Sequence, residues 1–419
     1  MTVLDTLKIS RFRNVEPGTT LRFREGFNIL LGKNATGKTT LLELIANAIS
    51  LDLAAYAKEP FKIEFQLSAN KRTIRVEAEN TRLETTSPEG ASVPQVLRTP
   101  ELSAQASILV EEEGRLLLHY SVQDAMVEKQ TPGHPTTQYP LRVPLLDSNL
   151  LLPVLFADSD KRFIPTDFSL IGQFYRSPLL RFDESLAFFQ TIIADSAVHV
   201  FIPREGNLQA FSRIAPKDVA TAVAGAVTRD RNVATVPIEN LPLLEKLNSL
   251  LGFRTAVLYA ERLERTAATE DELEQAEYGN FRFEFTRHDG SVIDHTRLSY
   301  GQKRLLAFHF WLATFDDFAV SDELVNGLHH AWISSSVEAL ANRQSFLTTQ
   351  NPLLLDYLQF NSEQNVADSF IVCRHTTVVA GPLRMQWTNI GERDAHAFYR
   401  AYKAGIENVS EILVSRGLW

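Results

Sequence analysis

The sequence predicts an α/β protein with a mixed, largely parallel sheet core, an antiparallel β lobe and an inserted, mainly helical subdomain. Three observations carry this expectation. Short apolar runs alternate with helix-period segments at both ends of the chain, as in strands joined by crossover helices. From residue 60 to 125 the texture changes to apolar–polar alternation broken by turn residues, the pattern of antiparallel strands. From 165 to 275 helical periodicity dominates. The implied division is 1–160 for the N-terminal part of the core with the β lobe, 161–275 for the insertion, and 276–419 for the C-terminal part of the core.

Taken in order, "TLKISRFRNV" and "TTLRFR" alternate as strands, and Glu25-Gly26 turns the chain into "FNILL", a buried-strand run. "TTLLELIANAIS" then places Leu41, Leu42, Ile45 and Ile49 on one helical face. "FKIEFQLSA", "RTIRVEAE" and "ASILVEEEGRLLLHYSV" read as antiparallel strands, the last pair turning at Glu113-Gly114. Residues 129–144, "KQTPGHPTTQYPLRVP", read as an exposed loop because they are rich in proline and polar residues, and "NLLLPVLFA" as a further buried strand. In the insertion, "DESLAFFQTIIADSA" and "PKDVATAVAGAV" read as helices, and acidic "ATEDELEQAEYG" as a solvated one. "NLPLLEKLNSLLG" is a helix with Asn240 as cap and Gly252 as stop. "FYRSPLLRF", residues 174–182, mixes aromatics with Arg176 and Arg181 as a single-strand binding surface does, but helix packing is the favoured reading. "NFRFEFTRHDGSVIDHTR" is a hairpin around Asp289-Gly290, and "LSYGQKRLLAFHFWLATF" a helix beginning near Ser299. "DDFAVSDE", "SFLTT" and "SFIVC" are short strands, with the helix "HHAWISSSVEALAN" between the first two.

Composition narrows the function classes. The chain has 419 residues, room for roughly two or three domain-sized units. Its hydrophobic content of 44% and charged content of 22% are those of a soluble globular protein. Cys373 is the single cysteine, which excludes an internal disulfide and fits a reducing compartment. The start is charged throughout and is not a secretion signal, and "LLDSNLLLPVLFA" is too short to span a membrane, so a cytoplasmic protein is expected. A net charge of −9 argues against a surface coated in basic residues for gripping DNA.

Four local patterns carry chemistry. "GKNATGKTT" fits G-x-x-x-x-G-K-[ST] from Gly32 through Thr39, after a strand and before a helix. Glycines let successive N–H groups wrap a phosphate at a helix's positive end, so Gly32, Lys33, Asn34, Ala35, Thr36, Gly37, Lys38, Thr39 and Thr40 are the candidate nucleotide-binding residues. Lys38 reaches the β- and γ-phosphates and Thr39 ligates Mg²⁺. "FAVSDE" ends a strand in Asp322, a second Mg²⁺ ligand, and Glu323, placed to orient or deprotonate the attacking water. "LSYGQKR" opens a helix, and "FLTTQNPLLL" ends a strand in polar residues and a proline. That last pattern is either a capped turn or a strand delivering Gln350 to a ligand.

On these residues the chain resembles the ABC ATPases, whose signature is usually written LSGGQ, and within them the non-transporter branch of SMC, RecF and OLD ATPases. "ISRFRNV", "FNILLGKNATGKTT", "SVIDHTRLSYGQKRLLAF" and "DELVNGLHH" carry the resemblance, over residues 1–50 and 280–355. It implies ATP and Mg²⁺ as cofactors, and a head-to-tail dimer, or a higher oligomer built from it, with ATP sandwiched between copies. Ser299, Gly301 and Gln302 would serve the partner's phosphate; Arg13 and Asn14 resemble a nucleotide-facing pair. The family's strand usually ends TTHSP, so Gln350 stands where a histidine contacts the γ-phosphate. A neutral amide there implies slow turnover. The lobe-joining glutamine is unplaced between Gln66 and Gln123. Adjacent His329 and His330 lack metal-ligand spacing, and His309 belongs to the signature helix.

The chain beyond Gln350 shows no acidic cluster of the nuclease type that follows the ATPase in OLD proteins. The resulting expectation is a slow ATPase switch or scaffold for a separate effector, such as a nuclease or toxin, resembling stand-alone ATPases of bacterial anti-phage defence. The alternative is a RecF- or SMC-like DNA-repair or DNA-clamping ATPase acting directly on nucleic acid. A third reading is a scaffold in which ATP serves only as glue.

Overall fold

A computed structural model describes residues 1–69, 71–82, 102–141, 144–146, 150, 179–181, 196–202, 209–212, 215–230, 232–266, 274–315, 317–376 and 383–419. In chain order the first strands are β1 (Thr2–Phe12), β2 (Thr19–Arg22), β3 (Phe27–Leu31), β4 (Phe61–Ala69), β5 (Arg72–Arg82), β6 (Leu102–Glu112) and β7 (Arg115–Gln123). Next come β8 (Met126–Gln130), β9 (Thr137–Pro140), β10 (Leu179–Arg181), β11 (Val198–Ile202), β12 (Gln209–Ser212), β13 (Thr235–Ile238) and β14 (Thr255–Thr266). The last are β15 (Glu274–Thr286), β16 (Val292–Asp294), β17 (Phe318–Asp322), β18 (Gln344–Thr348), β19 (Phe370–Thr376) and β20 (Arg384–Asn389). The helices are α1 (Lys38–Ile49), α2 (Lys217–Arg229), α3 (Pro242–Leu251), α4 (Tyr300–Leu312), α5 (His330–Leu340), α6 (Pro352–Asp356), α7 (Glu363–Ser369), α8 (Glu392–Ala404) and α9 (Val409–Ser415). The chain divides into two compact units, one of residues 1–179, 342–348 and 358–419, the other of 180–341 and 349–357.

In the first unit β3 is flanked by β18 and β19, both parallel to it, and β20 pairs antiparallel with β19. Ile29, Leu30 and Leu31 are buried there, as the uninterrupted apolar run requires of a central strand. The lobe is an eight-stranded antiparallel sheet in the order β2-β1-β4-β5-β6-β7-β8-β9. Its alternation is strict where one face is buried, with Phe61, Ile63, Phe65, Leu67 and Ala69 inward on β4. Gln344, fully buried at the start of β18, ties β18 to β1. Its Oε1 accepts from the Leu4 N–H at 2.8 Å, and its Nε2 donates to the carbonyls of Leu4 at 2.8 Å and Arg24 at 3.0 Å. The pairing of β1 with β4 slips beside this contact, between Leu4 and Thr6.

The second unit holds an antiparallel sheet in the order β12-β11-β15-β14-β13, with β16 folded back on β15. The β15–β16 hairpin turns through Gly290 at φ +84°, where the Asp-Gly signal placed it. Helix α4 begins at Ser299 and buries Leu305, Leu306, Phe308 and Phe310; Phe281 and Phe283 of β15 pack on Phe310.

Several expectations are corrected. In the insertion α2 and α3 form as expected, strands β10 to β14 are described with them, and 161–178, 182–195, 203–208 and 267–273 lie outside the described residues. On β14 the buried Ala256, Leu258 and Ala260 recur every second residue, a strand period. The acidic stretch taken for a solvated helix enters β15 at Glu274, where buried Ala276 and Tyr278 alternate with Gln275 and Glu277. Glu277 sits on the less buried face of the strand, and residues 267–273 lie outside the described residues. Residues 129–144 are not all loop, since β8 and β9 form a hairpin at the sheet edge, where Pro140 costs no ladder bond. Leu179–Arg181 is a strand, so that part of "FYRSPLLRF" is not helical. Leu241, not Asn240, caps α3, with Pro242 opening the helix and Gly252 ending it at φ +74°. "NLLLPVLFA", apart from Leu150, and "DESLAFFQTIIADSA", apart from Ser196 and Ala197, lie outside the described residues.

Candidate functional site

The phosphate loop follows β3 and ends at Gly37, the left-handed cap of α1 at φ +84°. Gly32 at φ +144° and Ala35 at φ +66° give the loop left-handed turns, the conformation in which successive backbone N–H groups can face an anion. Two glycines are required by space as well as by φ. A Cβ on Gly32 would stand 2.2 Å from the Cys373 carbonyl oxygen, and one on Gly37 would stand 2.3 Å from Met385 Sδ. Lys38 folds back over the loop, its ammonium donating to the carbonyls of Gly32 at 2.7 Å and Lys33 at 3.0 Å. Buried Thr36 donates through Oγ1 to the Lys33 carbonyl at 2.8 Å, and its own carbonyl accepts from Trp387 Nε1 at 3.1 Å. Lys33, Asn34 and Ala35 form the exposed crown, Thr39 is exposed on the first turn of α1, and Thr40 follows it half-buried. A glycine-built turn, the Lys38 ammonium drawn over it and the positive end of a helix together fit the phosphates of a nucleotide.

The same loop explains Cys373 and leaves Arg13 committed elsewhere. Burial beneath the loop pushes the Cys373 thiol up to about 12, so it stays protonated and inert at neutral pH. Arg13 forks onto Glu59, at 2.8 Å through Nη2 and 3.0 Å through Nε, over the rings of Phe12 and Tyr56. That hydrogen bond raises the guanidinium further above its ordinary value. Asn14 donates to the Leu383 carbonyl at 3.3 Å. Gln66 donates to Asp5 at 3.1 Å, and exposed Gln123 ends β7 at the turn into β8.

In the second unit β17 buries Phe318, Ala319, Val320 and Ser321 and leaves Asp322 half-exposed at its end. Glu323 follows at φ +55°, a conformation uncommon for a residue with a side chain. Its Oε2 accepts two hydrogen bonds, from the Gln350 backbone N–H at 3.0 Å and from Asn326 Nδ2 at 2.9 Å. Glu323 and Gln350 are therefore brought together, but through the main chain of Gln350, whose side chain is exposed. The polar strand end is a capped turn. Thr349 and Asn351 cap α6, with the Leu353 N–H on Asn351 Oδ1 at 3.0 Å, and this turn delivers the Gln350 N–H to Glu323.

The α4 start is a capping box. Ser299 Oγ accepts from the Gln302 N–H at 3.4 Å, and Gln302 Oε1 accepts from the Ser299 N–H at 3.0 Å. Ser299 and Tyr300 are exposed, and the serine hydroxyl keeps its own proton to donate. Gly301 packs so closely on Trp332 that a Cβ would stand 2.9 Å from its ring. His329 caps α5, His330 meets Tyr357 Oη at 3.1 Å, and His309 is buried in α4. Among the described residues no cluster of three metal-ligating side chains occurs, and no helix is long and apolar enough to cross a membrane.

Sequence reasoning missed Asn326, Trp387 and Arg304. Asn326-Gly327 is a turn dipeptide directly after the Asp-Glu pair, a signal that could have marked Asn326. Trp387 carries none, since its partner lies 351 residues away.

Residues 6–170 match a family model described as an AAA domain. Among solved structures the chain is similar to the SMC head domain from Thermotoga maritima, with 12% identity, a TM-score of 0.37, and coverage of 93% of this chain and 99% of that one. It is also similar to a Pyrococcus furiosus Smc head domain with an extended coiled coil bound to the C-terminal domain of ScpA, with 10% identity, a TM-score of 0.39, and coverage of 96% and 100%. No curated protein matches the chain.

Proposed function

We propose that this chain is an ABC-type ATPase that binds ATP·Mg²⁺ at Gly32–Thr39 and hydrolyses it slowly. It would act as a nucleotide-dependent switch or scaffold for a separate effector, such as a nuclease or toxin, in bacterial anti-phage defence. The observation that carries the reading is the glycine-cradled loop with the Lys38 ammonium drawn over it at the head of α1. Mg²⁺ would neutralise phosphate charge, with the Thr39 hydroxyl and the Asp322 carboxylate as its protein ligands. Glu323, oriented by Asn326 and the Gln350 N–H, takes a proton from water as the water oxygen bonds to the γ-phosphorus. The bond from that phosphorus to its bridging oxygen breaks in the same displacement. Ser299, Gly301 and Gln302 would serve a nucleotide held by a second copy, making the ATP-bound form a head-to-tail dimer.

Gln350 supports a long-lived ATP state. An uncharged amide stabilises developing γ-phosphoryl charge less than an imidazolium does, so turnover of about 1 per second or less is expected. Calorimetric titration of ATP·Mg²⁺ into the unmodified chain and Lys38→Ala tests the reading. Loss of binding in the variant supports it, and unchanged affinity removes the nucleotide site. Fast, DNA-stimulated hydrolysis without a partner would replace the switch with a DNA-repair machine.

A further inference from the structure

We propose that Arg304, one turn into α4, is a positioning residue that holds Glu323 in its left-handed backbone conformation and so aims its carboxylate; this rests on Glu323 being the base. Arg304 is only 7% exposed. Its Nη2 donates to the carbonyl of Glu323 at 2.9 Å and of Leu324 at 3.4 Å. Its Nη1 donates to Tyr300 Oη at 3.1 Å, and the guanidinium carbon lies 5.7 Å from the Tyr300 ring centre. Tyr300 and Arg304 are four residues apart on one helix, so the phenol is a natural second anchor for the fork.

Glu323 is consequently pinned at both ends. Arg304 holds its carbonyl, while Asn326 and the Gln350 N–H hold its carboxylate. An L-residue at φ +55° keeps that conformation only where its surroundings impose it. If the carbonyl were released, the backbone would relax toward negative φ and swing the side chain off the Gln350 N–H. A planar guanidinium suits two successive carbonyls, whereas a lysine ammonium is a point charge that fixes one. The neighbouring turn packs against the same helix start. A Cβ on Gly327, at φ +76°, would stand 3.2 Å from Tyr300 Cε1, so Tyr300 is wedged where the Glu323 loop ends.

The test uses the full chain and four variants, Arg304→Met, Arg304→Lys, Tyr300→Phe and Glu323→Gln, with ATP affinity from calorimetry and hydrolysis from single-turnover assays. Arg304→Met should bind ATP within about twofold of the unmodified chain but hydrolyse it about 100-fold more slowly, the scale of a misplaced catalytic group. Arg304→Lys should recover part of that loss, and Tyr300→Phe should lose only about threefold, since one anchor of the fork remains. Hydrolysis by Arg304→Met at the unmodified rate, while Glu323→Gln is inactive, overturns the proposal and leaves the base assignment standing. If Arg304→Met does not fold, Arg304→Lys decides: retained affinity with a slower rate supports positioning, and an unchanged rate overturns it. Glu323→Gln turning over at the unmodified rate removes the premise itself, a separate outcome read in a separate variant.

Discussion

Replacing Trp387 with phenylalanine should weaken both the fold and the nucleotide site, because one indole hydrogen bond shapes the phosphate loop from beneath. Trp387 is 1% exposed on β20, and its N–H donates to the Thr36 carbonyl at 3.1 Å. The peptide joining Thr36 to Gly37 is planar and trans, so drawing the carbonyl toward the indole turns the Gly37 N–H the opposite way, into the loop. Phenylalanine cannot donate, which leaves a buried carbonyl unpaired at a cost of ~1–3 kcal/mol. The lost ring volume, roughly 40 Å³ at ~24 cal/mol per Å³, adds ~1 kcal/mol if the site does not collapse. A loss of ~2–4 kcal/mol should therefore appear as an earlier urea midpoint with an unchanged slope. A misdirected Gly37 N–H should also weaken ATP binding about tenfold, the worth of one charge-assisted donor. Far-UV circular dichroism in urea and calorimetric titration with ATP measure the two effects. An unchanged midpoint with unchanged affinity would refute the claim that the C-terminal hairpin shapes the loop.

Asn326→Ala removes one of two hydrogen bonds to a partly exposed Glu323, so hydrolysis should fall about five- to tenfold with ATP affinity unchanged, as steady-state kinetics will show. Ser299→Arg should abolish ATP-dependent association in sedimentation velocity without changing ATP binding by a single copy. Burial holds the His295 imidazole below its ordinary value of 6.5, despite Asp294 beside it, and its Nδ1 accepts from the Phe283 N–H at 3.1 Å. The unfolded chain then binds the extra proton first, so this contribution to stability is full above pH 6.5 and lost as pH falls through the folded value. Thermal melts at pH 7.5 and 5.5 should show the decline, and His295→Asn should reduce the difference.

What was legible in the sequence is what is local. The phosphate loop needs contiguous residues of fixed type, the α4 start is a capping box within the four residues Ser299 to Gln302, and the Glu113-Gly114 and Asp289-Gly290 turns name themselves. The contacts that orient these parts are remote. Gln344 reaches Leu4 across 340 residues, Trp387 reaches Thr36 across 351, and neither residue type announces its partner. The acidic stretch before Gly279 was misread because its charge outweighed the alternation of Ala276 and Tyr278, the stronger physical signal. The contact of the Gln350 backbone N–H with Glu323 has no sequence signal either, because residue identity says little about where an amide proton points.

In the proposed function Gly32–Thr39 binds ATP and Glu323 activates the water that hydrolyses it. Single-turnover release of phosphate from γ-labelled ATP, measured for the unmodified chain, Lys38→Ala and Glu323→Gln beside calorimetric affinities, tests it most directly. Slow release is expected from the unmodified chain, no binding by Lys38→Ala, and full binding without release by Glu323→Gln. Release by Glu323→Gln at the unmodified rate would contradict it.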